Sequence, residues 1–254
     1  MTGIRLPRVL GPAEAAGRGS TTLGLNHLLL GPGCGDNAGA ALGLGLAPGA
    51  TQVSLGTSGV VATVSETPVR DATGTVAGFA DATGHFLPLV CTLNGARVLV
   101  STAELLSVDY DEFSRLALSA PAGADGLTLV PYFEGERTPN LPHATATLSG
   151  MTLTSFTRAN LARAAVEGLA RLLGDALTGV RERDVPVRRV TLVGGGAQAE
   201  AFRVVAAQVW GLPVDVPPPA EYVARGAARQ AAWVLSGAAS PPHWAEAGVT
   251  TYEP

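Results

Sequence analysis

One stretch limits the architectures open to this chain more than any other. Between Thr157 and Val180, the residues Leu161, Ala165, Leu169, Leu172, Ala176 and Val180 recur at spacings of three and four. That period predicts a long amphipathic helix, whose apolar stripe must be buried against a broad apolar surface. Short apolar runs supply such a surface. Thr51 to Leu55 and Val60 to Ser65 read as two strands joined by Gly56-Thr57-Ser58-Gly59, a hairpin by length and turn chemistry. Further strands are expected at His27 to Leu30 (short and buried), Val76 to Ala80, Phe86 to Cys91, Leu127 to Tyr132, Arg189 to Val193 and Pro213 to Val216. Helices are expected at Ala38 to Leu46, closed by Pro48-Gly49, at Thr92 to Ser107, at Ala199 to Trp210 and at Glu221 to Ser236. The tail from Pro241 has little pattern. Strands come first and then alternate with helices, so the fold class is α/β, a mixed sheet flanked by helices.

Composition narrows the function. The chain has 254 residues, 15% of them charged, and a net charge of −4. Nothing in that balance favours nucleic acid. No apolar run reaches the ~18–20 residues of a membrane helix. Arg5 and Arg8 have no apolar run behind them, so the N-terminus does not read as a signal peptide. Two cysteines, Cys34 and Cys91, are too few for a disulfide framework, and the expected compartment is the cytoplasm. The four histidines show no metal-ligand spacing.

Chemistry concentrates in glycine-rich turns. Gly31-Pro-Gly-Cys-Gly-Asp36-Asn37 puts one carboxylate just ahead of an apolar helix. Taken alone, Asp36 reads as a helix N-cap. Gly56-Thr57-Ser58-Gly59, taken alone, reads as a turn. Its backbone N–H groups and two hydroxyls also suit a phosphate, although no lysine follows to make a Walker loop. Gly194-Gly195-Gly196-Ala197-Gln198, between a strand and a helix, invites a dinucleotide reading with Asp215 as the ribose acid. Against that, Asp215 lies inside its strand and Pro217 to Pro219 block the following helix. A phosphate at a helix N-terminus behind glycines fits either way. Glu136 and Arg137 read as a surface ion pair, and Cys34 as a small filler.

In this order the set resembles the FGGY family of carbohydrate kinases. Ala146-x-Leu148-x-Gly150-Met151 and, eight residues on, Asn160-Leu161-x-x-Ala164-Ala165-Val166-Glu167 fit the family's C-terminal signature at every fixed position. Gly35-Asp36-Asn37 resembles its GDN turn, and Ser54-Leu-Gly-Thr-Ser-Gly59 its phosphate hairpin. Gly135-Glu-Arg-Thr-Pro139 is similar to a turn common in one branch of the family. Gly194 to Ala197 resembles the segment that runs under the nucleotide, and Glu221 to Ala228 the closing helix on that side.

The resemblance implies an actin-like ATPase (ribonuclease H-like) domain, with ATP and Mg²⁺ as cofactors. It implies a ketose substrate, D-xylulose, with gluconokinase-like and ribulokinase-like activities as alternatives. It makes Asp36 the catalytic base, Asp36 and Asn37 the sugar contacts, and Gly56, Thr57, Ser58, Gly194, Gly195, Gly196, Ala197 and Gln198 the ATP contacts. The metal ligands stay unassigned, and a homodimer is compatible with it. The matched motifs belong to the second half of the family's pattern. The expected organisation is therefore a remnant of the first kinase domain over 1–30, the nucleotide-binding domain over 31–240 and a tail over 241–254, incomplete for catalysis alone. The rival readings are a dinucleotide-binding enzyme and a non-catalytic, kinase-like binding module.

Overall fold

The computed structural model describes residues 3–245 and 248–254. The chain divides into two compact units, each described by itself. The first gathers the chain up to Leu46 with Ala80–Phe86 and Ala220–Ala245. The second comprises Ala47–Phe79, Leu87–Pro219 and the end of the chain.

In chain order the strands are β1 (Gly17–Arg18), β2 (Leu29–Leu30), β3 (Thr51–Leu55), β4 (Gly59–Thr63), β5 (Leu89–Thr92), β6 (Thr128–Val130), β7 (Thr147–Ser149), β8 (Val190–Val193), β9 (Val214–Val216) and β10 (Thr250–Tyr252). The helices are α1 (Asp36–Leu44), α2 (Arg97–Leu105), α3 (Tyr110–Ser119), α4 (Arg158–Arg181), α5 (Glu200–Trp210) and α6 (Tyr222–Ser236).

The second unit is built on a six-stranded sheet in the order β10-β9-β8-β3-β4-β5. β3, β8 and β9 run parallel, and β4, β5 and β10 are antiparallel to their neighbours. The expected mixed sheet is present, and the helix predicted from the apolar stripe is its main cover. In α4 the side chains of Leu169, Leu173, Leu177 and Val180 are buried in one core with Val53, Leu55, Val61 and Leu192 of the sheet. Thr157 caps that helix by accepting from the Asn160 N–H at 3.1 Å.

The spacing of Asn160 and Glu167 has a packing role. The Asn160 amide donates to Asp125 Oδ2 at 3.0 Å and to the Ser155 carbonyl at 2.9 Å. Glu167, with 4% of its side chain exposed, accepts from Arg163 at 2.7 Å, from Arg171 at 2.5 Å and from the Gly123 N–H at 2.8 Å. Burial pushes the Glu167 carboxyl up, but Arg163, the Gly123 N–H and Arg171 together hold it below the usual carboxylate value. A group whose folded pKa is depressed contributes stability above its unfolded pKa and loses it as pH falls through the folded one. Glu167→Gln therefore narrows its stability gap to the parent protein as pH drops below about 4.3. Chemical denaturation at pH 7 and pH 3 checks this. An equal gap at both values contradicts it.

The first unit centres on α1 and α6. Gly39 and Gly43 of α1 face Gly226 and the Tyr222 carbonyl of α6, so closely that a Cβ on Gly226 would fall on the Gly39 carbonyl. Small residues let the two backbones meet. Arg229, buried, donates to the Leu42 carbonyl at 2.6 Å and to the Pro242 carbonyl at 2.7 Å, and so terminates α1.

Several expectations need correcting. β2 is exposed, because it pairs only with the two-residue β1. α1 ends at Gly45 in the left-handed region, before Pro48-Gly49. α2 starts five residues later than the periodicity suggested, because Thr92 to Ala96 make other bonds described below. The tail holds β10, an edge strand whose pairing with β9 no local pattern announces. α3 was not foreseen at all. Its Asp109 cap and its Phe113–Ala117 face are short signals inside a polar stretch.

Candidate functional site

β3 and β8 are parallel neighbours, with Ser54 opposite Val193. The two glycine turns leave this pair at the same, carboxyl, end. Ligands of open α/β sheets bind at such ends, where the turns are free of the ladder.

The hairpin Gly56-Thr57-Ser58 joins β3 to β4. Thr57 and Ser58 are exposed and Gly56 is half-buried. Its shape is held from below. The Gly56 N–H donates to the Ser58 carbonyl at 3.0 Å, and the Ala96 N–H donates to the Gly56 carbonyl at 2.8 Å. The Gly59 N–H donates to Thr92 Oγ1 at 3.1 Å. Gly95 presses against the turn so tightly that a Cβ there would lie 2.6 Å from the Ser58 carbonyl carbon and 2.7 Å from the Gly56 oxygen.

The second turn ends β8. Gly194 has φ +98°, and a Cβ on it would lie 2.6 Å from the Leu55 carbonyl oxygen. Gly196 is buried against the Leu55 side chain and Ala96. Gly195 faces open space, Ala197 is buried and Gln198 is exposed. Arg203 of α5 reaches back and donates to the Ala197 carbonyl, and at 3.4 Å to that of Gln198. The structure thus brings Gly56, Thr57, Ser58, Gly194, Gly195, Gly196, Ala197 and Gln198 together around the ends of β3 and β8. Each close approach there is made by a residue without a side chain, or with one carbon.

Beside the hairpin lies a cleft of about 220 Å³ lined by Thr57, Leu93, Asn94, Arg97, Val98, Ser101, Phe133 and Glu134. Leu93 and Phe133 give it apolar walls and are half-exposed. Arg97 and Glu134 pair across its rim at 2.8 Å, which pulls the Glu134 carboxyl below its ordinary pKa and raises that of the Arg97 guanidinium. Sequence reasoning missed Asn94, Gly95 and Arg203. Asn94-Gly95, a turn dipeptide, was the available signal, but the apolar period of the helix behind it had absorbed it.

Two readings change with the geometry. Glu136 does not form a surface pair with Arg137. It is 1% exposed and accepts hydrogen bonds from backbone N–H groups on two loops. Asp215 is not free for a ribose. It lies in the middle of β9, held by Arg189 at 2.7 Å and by Thr251 Oγ1 at 2.6 Å.

Asp36 and Asn37 belong to the first unit. Gly35 is the N-cap of α1, and Asp36 is the first helical residue, with no capping bond from its side chain to the first turn. The N-cap reading of Asp36 is therefore wrong. Its exposed Oδ1 accepts from the Asn37 N–H at 2.8 Å and from the Asn37 side-chain amide at 3.1 Å. An acid in the first turn is favoured by the helix dipole.

Among the described residues no group of three or more His, Cys, Asp or Glu could hold a metal ion. No helix among them is long and apolar enough to cross a membrane.

Residues 51–235 match the FGGY family of carbohydrate kinases, C-terminal domain. A xylulose kinase of Streptomyces coelicolor is 44% identical over 236 residues, covering 91% of this chain and 47% of the relative. A gluconokinase of Bacillus subtilis is 31% identical over 183 residues, covering 66% of this chain and 36% of the relative. The crystal structure of xylulose kinase from Bifidobacterium adolescentis superposes with a TM-score of 0.88 at 54% identity, over 98% of this chain and 50% of that one. The chain thus spans about half the length of the relatives it matches. These neighbours are sugar kinases with the actin-like ATPase fold, which is the fold of this chain.

Proposed function

The chain belongs to the FGGY family of carbohydrate kinases, and on that premise we propose that it forms the ATP-binding part of a kinase that converts D-xylulose to D-xylulose 5-phosphate. One observation carries the reading: two glycine turns leave neighbouring parallel strands side by side, packed so that neither Gly194 nor Gly196 tolerates a Cβ. A phosphate chain needs backbone N–H groups at close range, and such turns offer them. In this reading Gly56, Thr57 and Ser58 hold the β- and γ-phosphates. Gly194 to Gln198 carry the α-phosphate and ribose side. The cleft between Leu93 and Phe133 has apolar walls suited to the flat face of a base.

The reaction is in-line phosphoryl transfer. The sugar hydroxyl oxygen forms a bond to the γ-phosphorus, the bond to the β,γ-bridging oxygen breaks, and ADP departs. The hydroxyl proton passes to the Asp36 carboxylate, while Asn37 contacts the sugar and orients that carboxylate through its amide. Mg²⁺ bound with ATP would neutralise charge developing on the phosphates, and its protein ligands stay unassigned. The identity of the sugar rests on the names of the relatives. The gluconokinase among them makes gluconate the alternative. A domain over 31–240, a homodimer and a cytoplasmic setting belong to the same proposal.

Calorimetry of the chain with ATP–Mg²⁺ tests it. Binding is expected at about 10⁻⁴–10⁻³ M, because contacts and pre-organisation set affinity and the chain spans half of the relatives' length. Absence of heat at millimolar ATP, with folded protein, overturns the proposal. Binding of NAD in its place revives the dinucleotide reading.

A further inference from the structure

The buried carboxylate of Glu136 has no part in the chemistry above, yet it is among the most completely enclosed side chains of the second unit. Its neighbours are all donors. Oε1 accepts from the N–H groups of Leu93 at 2.5 Å, Arg137 at 2.7 Å and Thr138 at 3.3 Å. Oε2 accepts from the Asn94 side-chain amide at 2.9 Å and from the Asn94 N–H at 3.3 Å. Five N–H groups on two loops, 42 and 43 residues apart in sequence across the longer gap, thus converge on one side chain. Asn94 ties the same loops a second time. Its amide donates to the Gly135 carbonyl at 2.8 Å, and its Oδ1 accepts from the Phe133 N–H at 3.2 Å.

The residues that follow Leu93 and Asn94 form the floor of the phosphate hairpin. The Asn94 carbonyl accepts from Thr92 Oγ1 at 2.7 Å, and that oxygen accepts from the Gly59 N–H. Gly95 lies in contact with Ser58, and the Ala96 N–H holds the Gly56 carbonyl. An unbroken set of hydrogen bonds and contacts therefore runs from Glu136 through residues 92–96 to the turn at 56–59. Among the described residues no side-chain hydrogen bond of Thr57 or Ser58 fixes the hairpin; the Gly56–Ser58 backbone bond and the floor beneath it do.

We infer that Glu136 is a positioning residue: it clamps Leu93 and Asn94 so that the floor they continue into holds the Gly56–Ser58 hairpin in its phosphate-accepting shape. The position calls for an acceptor on both oxygens, since every neighbour donates. Glutamine fits the space but turns an N–H₂ toward N–H donors, leaving at least one of them unsatisfied. The consequence is local: the floor loosens and the hairpin with it.

The inference rests on the proposed phosphate role of the hairpin, and its test separates the two. Amide hydrogen exchange of the folded chain is compared for the parent, Glu136→Gln and Glu167→Gln. Glu167 is a second buried carboxylate, which bonds α4 and Gly123 instead. In Glu136→Gln the amides of Gly56, Gly59 and Ala96 should exchange at least about 10-fold faster than in the parent, with the α4 core unchanged. Glu167→Gln should leave those three amides at their parent rates relative to the core. Asn94→Ala, which removes the second tie, should loosen the same three amides, and serves if Glu136→Gln does not fold.

Unchanged hairpin exchange, or an acceleration shared equally by all core amides, overturns the inference. ATP–Mg²⁺ calorimetry on the same proteins reports on the other claim. Loosened hairpin amides with a weaker ATP affinity support both. Loosened amides in a chain whose parent binds no ATP keep the clamp and remove the phosphate role.

Discussion

Asp36→Asn, in a protein of the relatives' full length that carries this sequence, lowers turnover on D-xylulose at least ~10²-fold, the usual worth of a general base. The affinity for ATP should stay as it was, because the phosphates are assigned to the Gly56–Ser58 and Gly194–Gln198 turns and not to this carboxylate. Stability should also survive. Asp36 occupies the first helical position, and its side chain accepts from Asn37. An asparagine can still accept those two bonds through its own Oδ1. Loss of turnover without loss of fold or ATP binding therefore identifies a proton acceptor. Paired steady-state kinetics and calorimetry make the measurement, and a variant with near-normal turnover removes Asp36 from the mechanism.

Gly194→Ala is expected to have the second large effect, on fold and binding together. Gly194 sits at φ +98°, where an L side chain is strained, and the new Cβ would meet the Leu55 carbonyl oxygen at 2.6 Å. That oxygen belongs to the central strand β3 and cannot swing aside. Backbone strain of about 1–3 kcal/mol and overpacking of about 1–3 kcal/mol add in the same direction. For a chain of this size the combined cost lowers Tm by roughly 5–15 °C. ATP binding should vanish, because the turn can relieve the clash only by moving away from the hairpin. Gly195→Ala is the matched control: nothing lies within 4 Å of its Cβ, so its stability should stay within about 0.5 kcal/mol of the parent. Thermal unfolding and calorimetry on both variants decide the matter. Equal behaviour of the two would mean that the turn is not packed as described.

These two experiments address different halves of one proposal. The first asks whether a carboxylate on the α1 unit takes the proton. The second asks whether the turns of the sheet unit form a phosphate seat. A protein that fails the first and passes the second would be a nucleotide-binding module without the transfer chemistry.

What the sequence determined by itself is the set of elements whose signals are local. The stripe from Leu161 to Val180 yields α4 because a 3.6-residue period is written into neighbouring positions. β3, β4 and their Gly56–Gly59 turn follow from two apolar runs and the residues between them. Gly211 and Gly237 end α5 and α6 in the left-handed region, where glycine is at ease. The family could be read for the same reason: its motifs are short, contiguous and in order.

Only the tertiary structure decided what depends on partners distant in the chain. Glu136 beside Arg137 looks like a surface pair until the N–H groups of Leu93 and Asn94, more than forty residues earlier, arrive to bury it. Asp215 looks like a ribose acid until Arg189 and Thr251 claim its oxygens. β10 exists only because β9 offers it an edge, and a three-residue strand has no period to betray it. α2 begins at Arg97, and not at Thr92, because the backbone of residues 93–96 is engaged with Glu136 and with the hairpin. In each case the deciding term is a hydrogen bond between segments far apart in sequence. Such a bond leaves no mark on local spacing, because only the fold brings its donor and acceptor together.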